Sequence, residues 1–166
     1  MIRRRIGTGG LKVLSYLPIT RGVSNLVADQ VNVGLIGTGS MGSELARAVS
    51  RGDAGSAVIV GLFDEYAPGS SALAQELGSN GGTAPAEFDD VADLIALPEL
   101  DLVVECASQV AVFAHAESVL SAGKSMLVMS SGALVNAEFM RKVTAAAAAT
   151  GASIYVPSGA VGGIDT

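Results

Sequence analysis

The residues best placed to do chemistry are three glycines and one acid. Gly37, Gly39 and Gly42 stand at G-x-G-x-x-G spacing in Gly37-Thr38-Gly39-Ser40-Met41-Gly42, after the apolar run Val33 to Ile36 and before a helix-like stretch. In a strand, turn and helix, each glycine has a separate task. Gly37 permits the sharp turn, Gly39 lets the backbone approach a pyrophosphate, and Gly42 lets the helix pack close to the sheet. Unpaired amides at the helix start, with the positive end of the helix dipole behind them, complete an anion site. A second apolar run, Ala57 to Phe63, ends in Asp64, 22 residues beyond Gly42. An acid about 20 residues on is placed to accept hydrogen bonds from adenosine ribose hydroxyls. The expected ligand is a dinucleotide. Asp64 would also repel a 2′-phosphate, which favours NAD and leaves NADP as the alternative.

The elements that must position these residues alternate from Val31 onward, the pattern of a parallel sheet covered on both faces. Met41, Leu45, Ala46 and Val49 give the first helix an apolar stripe, and Gly52 to Gly55 ends it. Pro68 to Ser71 reads as a turn and N-cap for a helix through Leu77. Thr83-Ala84-Pro85 reads as the end of a short edge strand. Asp89 and Asp90 open a helical piece through Ile95, where acids are favoured by the dipole rather than gathered as metal ligands. Leu100 to Ser108 is a near-continuous apolar strand. Ligands of doubly wound sheets bind at strand carboxyl ends, so Glu105, Ala107 and Ser108 are expected to point toward the nicotinamide half of a cleft.

A helix from about Gln109 to Ala122 contains the lone histidine, His115, which reads as a structural residue two turns past the strand end and away from the cleft. The strand Ser125 to Met129 leads into Ser130-Ser131-Gly132-Ala133, where small side chains would let a nicotinamide or its ribose lie against the backbone. Asn136 caps a helix containing the alanine run Ala145 to Ala149, and Ile154 to Val156 supplies a sixth strand. The fold class is therefore α/β, a doubly wound parallel sheet of the Rossmann type in a single domain.

Composition agrees with a packed chain. Its 166 residues are 49% hydrophobic and 16% charged, with 21 glycines, the profile of a soluble globular domain. A net charge of −6 argues against nucleic acid as a partner. No apolar run reaches the roughly 18 to 20 residues of a membrane span. Cys106 is alone, inside an apolar strand, and reads as a small buried hydrophobe of a cytoplasmic protein.

Residues 1–30 read differently. Arg3, Arg4 and Arg5 precede Gly7-Thr8-Gly9-Gly10, which follows no useful strand and opens no clean helix. This stretch is expected to be a poorly ordered extension with no site, and residues 31–166 the dinucleotide-binding domain.

Four strings together carry a family resemblance: Gly37 to Gly42, Asp101 to Ser108, Met129 to Ala133, and Pro157-Ser-Gly-Ala-Val-Gly-Gly-Ile-Asp165. From residue 31 to its end the chain resembles the amino-terminal half of the L-aspartate dehydrogenase family, and more broadly homoserine-dehydrogenase-like nicotinamide-binding domains. The resemblance implies NAD(P)-dependent oxidation of L-aspartate to iminoaspartate, hence oxaloacetate and ammonia, in NAD biosynthesis. By motif it assigns Gly37, Thr38, Gly39, Ser40, Met41, Gly42, Asp64, Ala107, Ser108 and Ala133 to the cofactor, and no residue here to catalysis. That family's second domain, which brings the catalytic histidine, is absent from this sequence, so the expectation is a truncated chain whose activity alone is in question. The alternatives are another oxidoreductase of the superfamily, such as a homoserine dehydrogenase, or a non-catalytic dinucleotide-binding module. Sugar dehydrogenases usually carry Glu-Lys-Pro where this chain has Ser130-Ser131-Gly132. An apolar patch near residues 155–166 would promote docking or homo-oligomer formation.

Overall fold

In the computed structural model, which describes residues 12–13, 30–66, 68–79 and 83–157, the apolar runs become parallel strands. The strands are β1 (Lys12–Val13), β2 (Val31–Ile36), β3 (Ala57–Phe63), β4 (Ala86–Phe88), β5 (Leu102–Glu105), β6 (Ser125–Val128) and β7 (Ile154–Val156). Between them run α1 (Ser40–Ser50), α2 (Pro68–Ser79), α3 (Val91–Ile95), α4 (Gln109–Ser121) and α5 (Ala137–Thr150), with a 3-10 turn at Ser131–Val135. Spatial order is β1-β7-β6-β5-β2-β3-β4, and every pairing is parallel. The chain winds outward from β2 through β3 to β4, then returns to the other side of β2 with β5. Strand order therefore reverses between β2 and β5, which is where a doubly wound sheet opens a crevice.

Alternation along each strand divides the core into two layers. Leu35, Leu62 and Val104 pack with Ala46 and Val49 of α1 and with Leu73 and Leu77 of α2. Ile36, Val103, Met126 and Val128 face the other way, onto Leu94 of α3, Val112, Val119 and Leu120 of α4, and Val143 of α5. A strand covered on both faces has no polar side to show, which explains why β5 reads as one apolar run. Leu35 and Val103 are fully buried, and truncating Leu35 to alanine should cost about 2–5 kcal/mol of stability.

Side chains cap most of the helices whose ends are described. Asp90 accepts from the Ala92 amide at 2.8 Å, Ser108 from Ala111 at 3.2 Å, and Asn136 from Glu138 and Phe139 at 3.0 Å each. Gly151, at φ +79°, closes α5 after its alanine run in the left-handed conformation that glycine favours. Helix α1 differs, since its N-cap is Gly39 and no side chain bonds its first amides.

Several sequence expectations shift. Helix α2 begins at Pro68 itself, where a missing N–H costs nothing, so Pro68 to Ser71 is helix rather than turn. Residues Thr83 to Pro85 precede the edge strand β4 instead of ending it. Met41 is 63% exposed and leaves the apolar stripe of α1 to Ala46, Val49 and the half-buried Leu45. Lys12–Val13 pairs beside Tyr155–Val156 at the sheet edge, where the sequence assigned no element. The Gly7 to Gly10 string, the rest of residues 1–29, and Ser158 to Thr166 with their part of the apolar-patch expectation lie outside the described residues. No helix among the described residues is long and apolar enough to cross a membrane.

Candidate functional site

At the carboxyl ends of β2, β3 and β5 lies a cleft of about 510 Å³, bordered by Gly37, Gly39, Asp64, Cys106, Ala107, Ser108 and His115. Its floor is set by close backbone packing. Gly37 turns the chain off β2 at φ +94°, and a side chain there would meet the Ala107 Cβ and amide at 2.8 Å. A methyl group on Gly42 would run into the Gly37 carbonyl oxygen, so α1 can start this close to the turn only with glycine at that position. At Gly39 the situation reverses, because nothing lies within 4 Å of where a Cβ would sit. Open space in front of an uncapped helix start fits a bound pyrophosphate.

The hydrogen bonds decide which amides of the turn remain available. Gly37 donates its N–H to the Phe63 carbonyl at 2.8 Å. Thr38 donates its N–H to Asp64 Oδ2 at 2.6 Å and its hydroxyl to the same oxygen at 2.8 Å. Ser43 then donates its hydroxyl to the Thr38 carbonyl at 2.6 Å. Thr38, 6% exposed, thus shapes the site through Asp64 rather than offering its own donors. The first amides of α1, from Gly39 to Gly42, have no side-chain cap, and of these residues Gly39 lines the cleft.

Asp64 Oδ1 accepts a third bond, from the Tyr66 amide at 2.9 Å. Partial burial pushes the Asp64 carboxyl upward, but the Thr38 and Tyr66 amides and the Thr38 hydroxyl outweigh it and hold the group below the usual carboxylate range. A carboxylate has about four acceptor positions, so a charged, oriented acceptor remains at the cleft wall for a hydroxyl.

Glu105 is placed differently from the sequence expectation. Its side chain has no exposure and turns into the protein, because the Ala107 amide at 2.8 Å and the Ser130 amide and hydroxyl at 3.0 and 2.9 Å draw the carboxylate inward. Ala107 and Ser108 do stand at the cleft wall. Ser108 also caps α4. Ala133, within the 3-10 turn, is 1% exposed and belongs to the core rather than to the cleft wall.

Two of the lining residues, His115 and Cys106, stand where the sequence did not place them. His115 is on the cleft wall, in a T-shaped contact with Phe63 whose ring centroids are 5.8 Å apart. Helix α4 starts at the rim, so positions 111 and 115, four apart, share its cleft face. That spacing was the available signal. Burial pushes the His115 imidazole below its ordinary value, partly offset by the negative charges of Asp90 and Glu65. Cys106 is half-buried rather than enclosed, and burial with the adjacent Glu105 charge pushes its thiol up to about 11. A second cavity, about 250 Å³, lies at the other end of the sheet among Val49, Gly52, Ile59, Leu77 and Pro85, and no ionisable side chain borders it.

Comparison with known proteins agrees with this geometry. Residues 37–157 match the family described as "Homoserine dehydrogenase, NAD binding domain". The chain is 33% identical over 135 residues to an L-aspartate dehydrogenase of Methanococcus maripaludis, covering 81% of this chain and 48% of that protein. It is 34% identical over 133 residues to the L-aspartate dehydrogenase of Methanocella arvoryzae, covering 80% and 46%. The chain thus spans about half the length of these curated relatives. Among solved structures, a biliverdin reductase from Synechocystis bound to biliverdin and NADP+ superposes with a TM-score of 0.64 at 27% identity, over 76% of this chain and 37% of that one.

Proposed function

The chain belongs to the homoserine dehydrogenase NAD-binding domain family, and from that premise we propose that its cleft holds NAD for the oxidation of L-aspartate to iminoaspartate. The observation carrying the substrate assignment is the identity of about one third to L-aspartate dehydrogenases across four fifths of the chain. In this reading the amides of Gly39 to Gly42 hold the pyrophosphate, with the helix dipole behind them. Asp64 takes an adenosine ribose hydroxyl. Its charge, with Glu65 beside it, disfavours the 2′-phosphate of NADP and favours NAD. The small residues Ala107 and Ser108 leave room beside β5 for the nicotinamide half. NAD, when bound, supplies the hydride acceptor for the α-carbon of the amino acid. The chain's own work is to bind, orient and exclude water. Its product would feed NAD biosynthesis in the cytoplasm, a placement supported by the free thiol of Cys106.

The family match itself favours a second reading, in which homoserine is the substrate. Both are tested by titrating the protein with NADH and by following near-ultraviolet absorbance with NAD or NADP and either amino acid. NADH binding and aspartate-dependent reduction of NAD are expected. Reduction with homoserine alone supports the second reading. Binding without turnover supports a dinucleotide-binding module, and loss of both binding and turnover in a folded protein overturns the cofactor assignment.

A further inference from the structure

Glu105 is the most deeply buried acid among the described residues, with no exposure, yet it is the last residue of β5, one of the strands whose ends open the cleft. Its three partners come from two different loops. Ala107, on the β5 to α4 loop, donates its amide to Oε1 at 2.8 Å. Ser130, on the loop after β6, donates its hydroxyl to Oε1 at 2.9 Å and its amide to Oε2 at 3.0 Å. All three can donate at once to a carboxylate, which has the acceptor positions to take them together. Just past the same two loops, Gln109 at the start of α4 lays its side-chain amide over Gly132 of the 3-10 turn, so closely that a Cβ on Gly132 would strike it.

We propose that Glu105 is a positioning residue for the nicotinamide half of the site, fixing the Ala107–Ser108 wall against the Ser130–Gly132 loop through one buried carboxylate. This rests on the dinucleotide reading above, and adds that the two halves of the site are held by separate devices. Thr38 and Asp64 hold the adenosine half, beside β3. Glu105 and Ser130 hold the other, beside β5 and β6, because a doubly wound sheet carries one mononucleotide half on each side of its switch point. Charge-assisted bonds to a buried acceptor are the stronger kind, and leaving one unmade in a buried site is costly. A glutamine at position 105 keeps the shape but turns an NH2 group toward one of three donors.

The test compares ligands that reach different distances across the cleft. ADP ends at the pyrophosphate, while NADH continues over β5 and β6. In the wild-type chain both should bind, and failure of both would sink the dinucleotide reading itself. With that met, Glu105→Gln is expected to weaken NADH about tenfold while ADP stays within about twofold. Ser130→Ala should lower the preference for NADH over ADP in the same direction by a smaller factor, and Ser130→Thr, which restores a hydroxyl, should recover it. Parallel weakening of both ligands would mean a merely structural carboxylate and overturn the proposal. An unchanged preference in Ser130→Ala overturns it equally, even where Glu105→Gln does not fold.

Discussion

Thr38 and Asp64 are bound as a unit: one carboxylate oxygen, Asp64 Oδ2, accepts both the Thr38 amide at 2.6 Å and the Thr38 hydroxyl at 2.8 Å. The glycine turn after β2 and the acid after β3 are therefore set relative to each other before any ligand arrives. A preset acceptor spares the ligand the cost of ordering it.

Thr38→Val keeps the volume and the amide bond but removes the hydroxyl. Asp64 should then titrate at higher pH, and NADH affinity should fall by a few-fold, up to about tenfold for a hydrogen bond to a charged group. Calorimetric titration against wild type checks both, the first through the pH dependence of binding. The depressed Asp64 group also contributes stability that is present above its unfolded value and lost as pH falls through the folded one. That acid-side loss should be smaller in the variant. An identical acid profile and affinity would separate Asp64 from Thr38.

Gly39 and Gly42 should fail in opposite ways. Gly39 has φ −62°, which any L-residue adopts, and open space around it, so Gly39→Ala should melt within a few degrees of wild type. Its methyl would crowd the pyrophosphate, weakening NADH about tenfold. Gly42→Ala forces a methyl onto the Gly37 carbonyl and should cost about 1–3 kcal/mol of stability. Thermal melts and NADH titrations of the two variants distinguish them, and a destabilised Gly39→Ala would contradict the open cradle.

His115 sets a limit on the acid side. Burial keeps the imidazole below its ordinary value of 6.5, against the pull of Asp90 and Glu65. A histidine depressed by folding takes up a proton more readily in the unfolded chain, so stability should fall as pH drops below 6.5 and approaches the folded value. Denaturant unfolding across that range should show the decline, and His115→Phe should flatten it. A steeper decline in His115→Phe would contradict an imidazole depressed by burial.

Cys106 borders the cleft but should be unreactive. A thiol raised from 9.0 to about 11 holds about a hundredfold less thiolate at neutral pH. Alkylation should be correspondingly slow, and faster in Glu105→Gln, where the neighbouring charge is removed. Labelling rates followed by intact mass measure both, and rapid alkylation of the wild type would argue against burial as the dominant influence.

The local pattern of this chain was legible in its sequence because it repeats short-range rules. The apolar run at β3 coincides with Ala57–Phe63, the caps at Asp90 and Asn136 act as their residue types require, and the glycine spacing marks the turn into α1. Family resemblance followed from strings of adjacent residues, and the match over residues 37–157 agrees with it. The directions of Glu105 and His115 were not legible. A strand-end acid is as compatible with facing a ligand as with facing inward, and only the arrival of Ser130 from a loop 25 residues later supplies the donors that turn Glu105 into the protein. His115 stands at the cleft in a T-shaped contact with Phe63, whose strand lies two positions from β5 in the sheet. Sequence by itself determined the elements from β2 onward, their order and the chemistry of the turn, since these depend on neighbours along the chain. Which side chains meet at the site was decided by tertiary structure, because hydrogen-bond donors and burial come from segments that adjoin only once the sheet is wound.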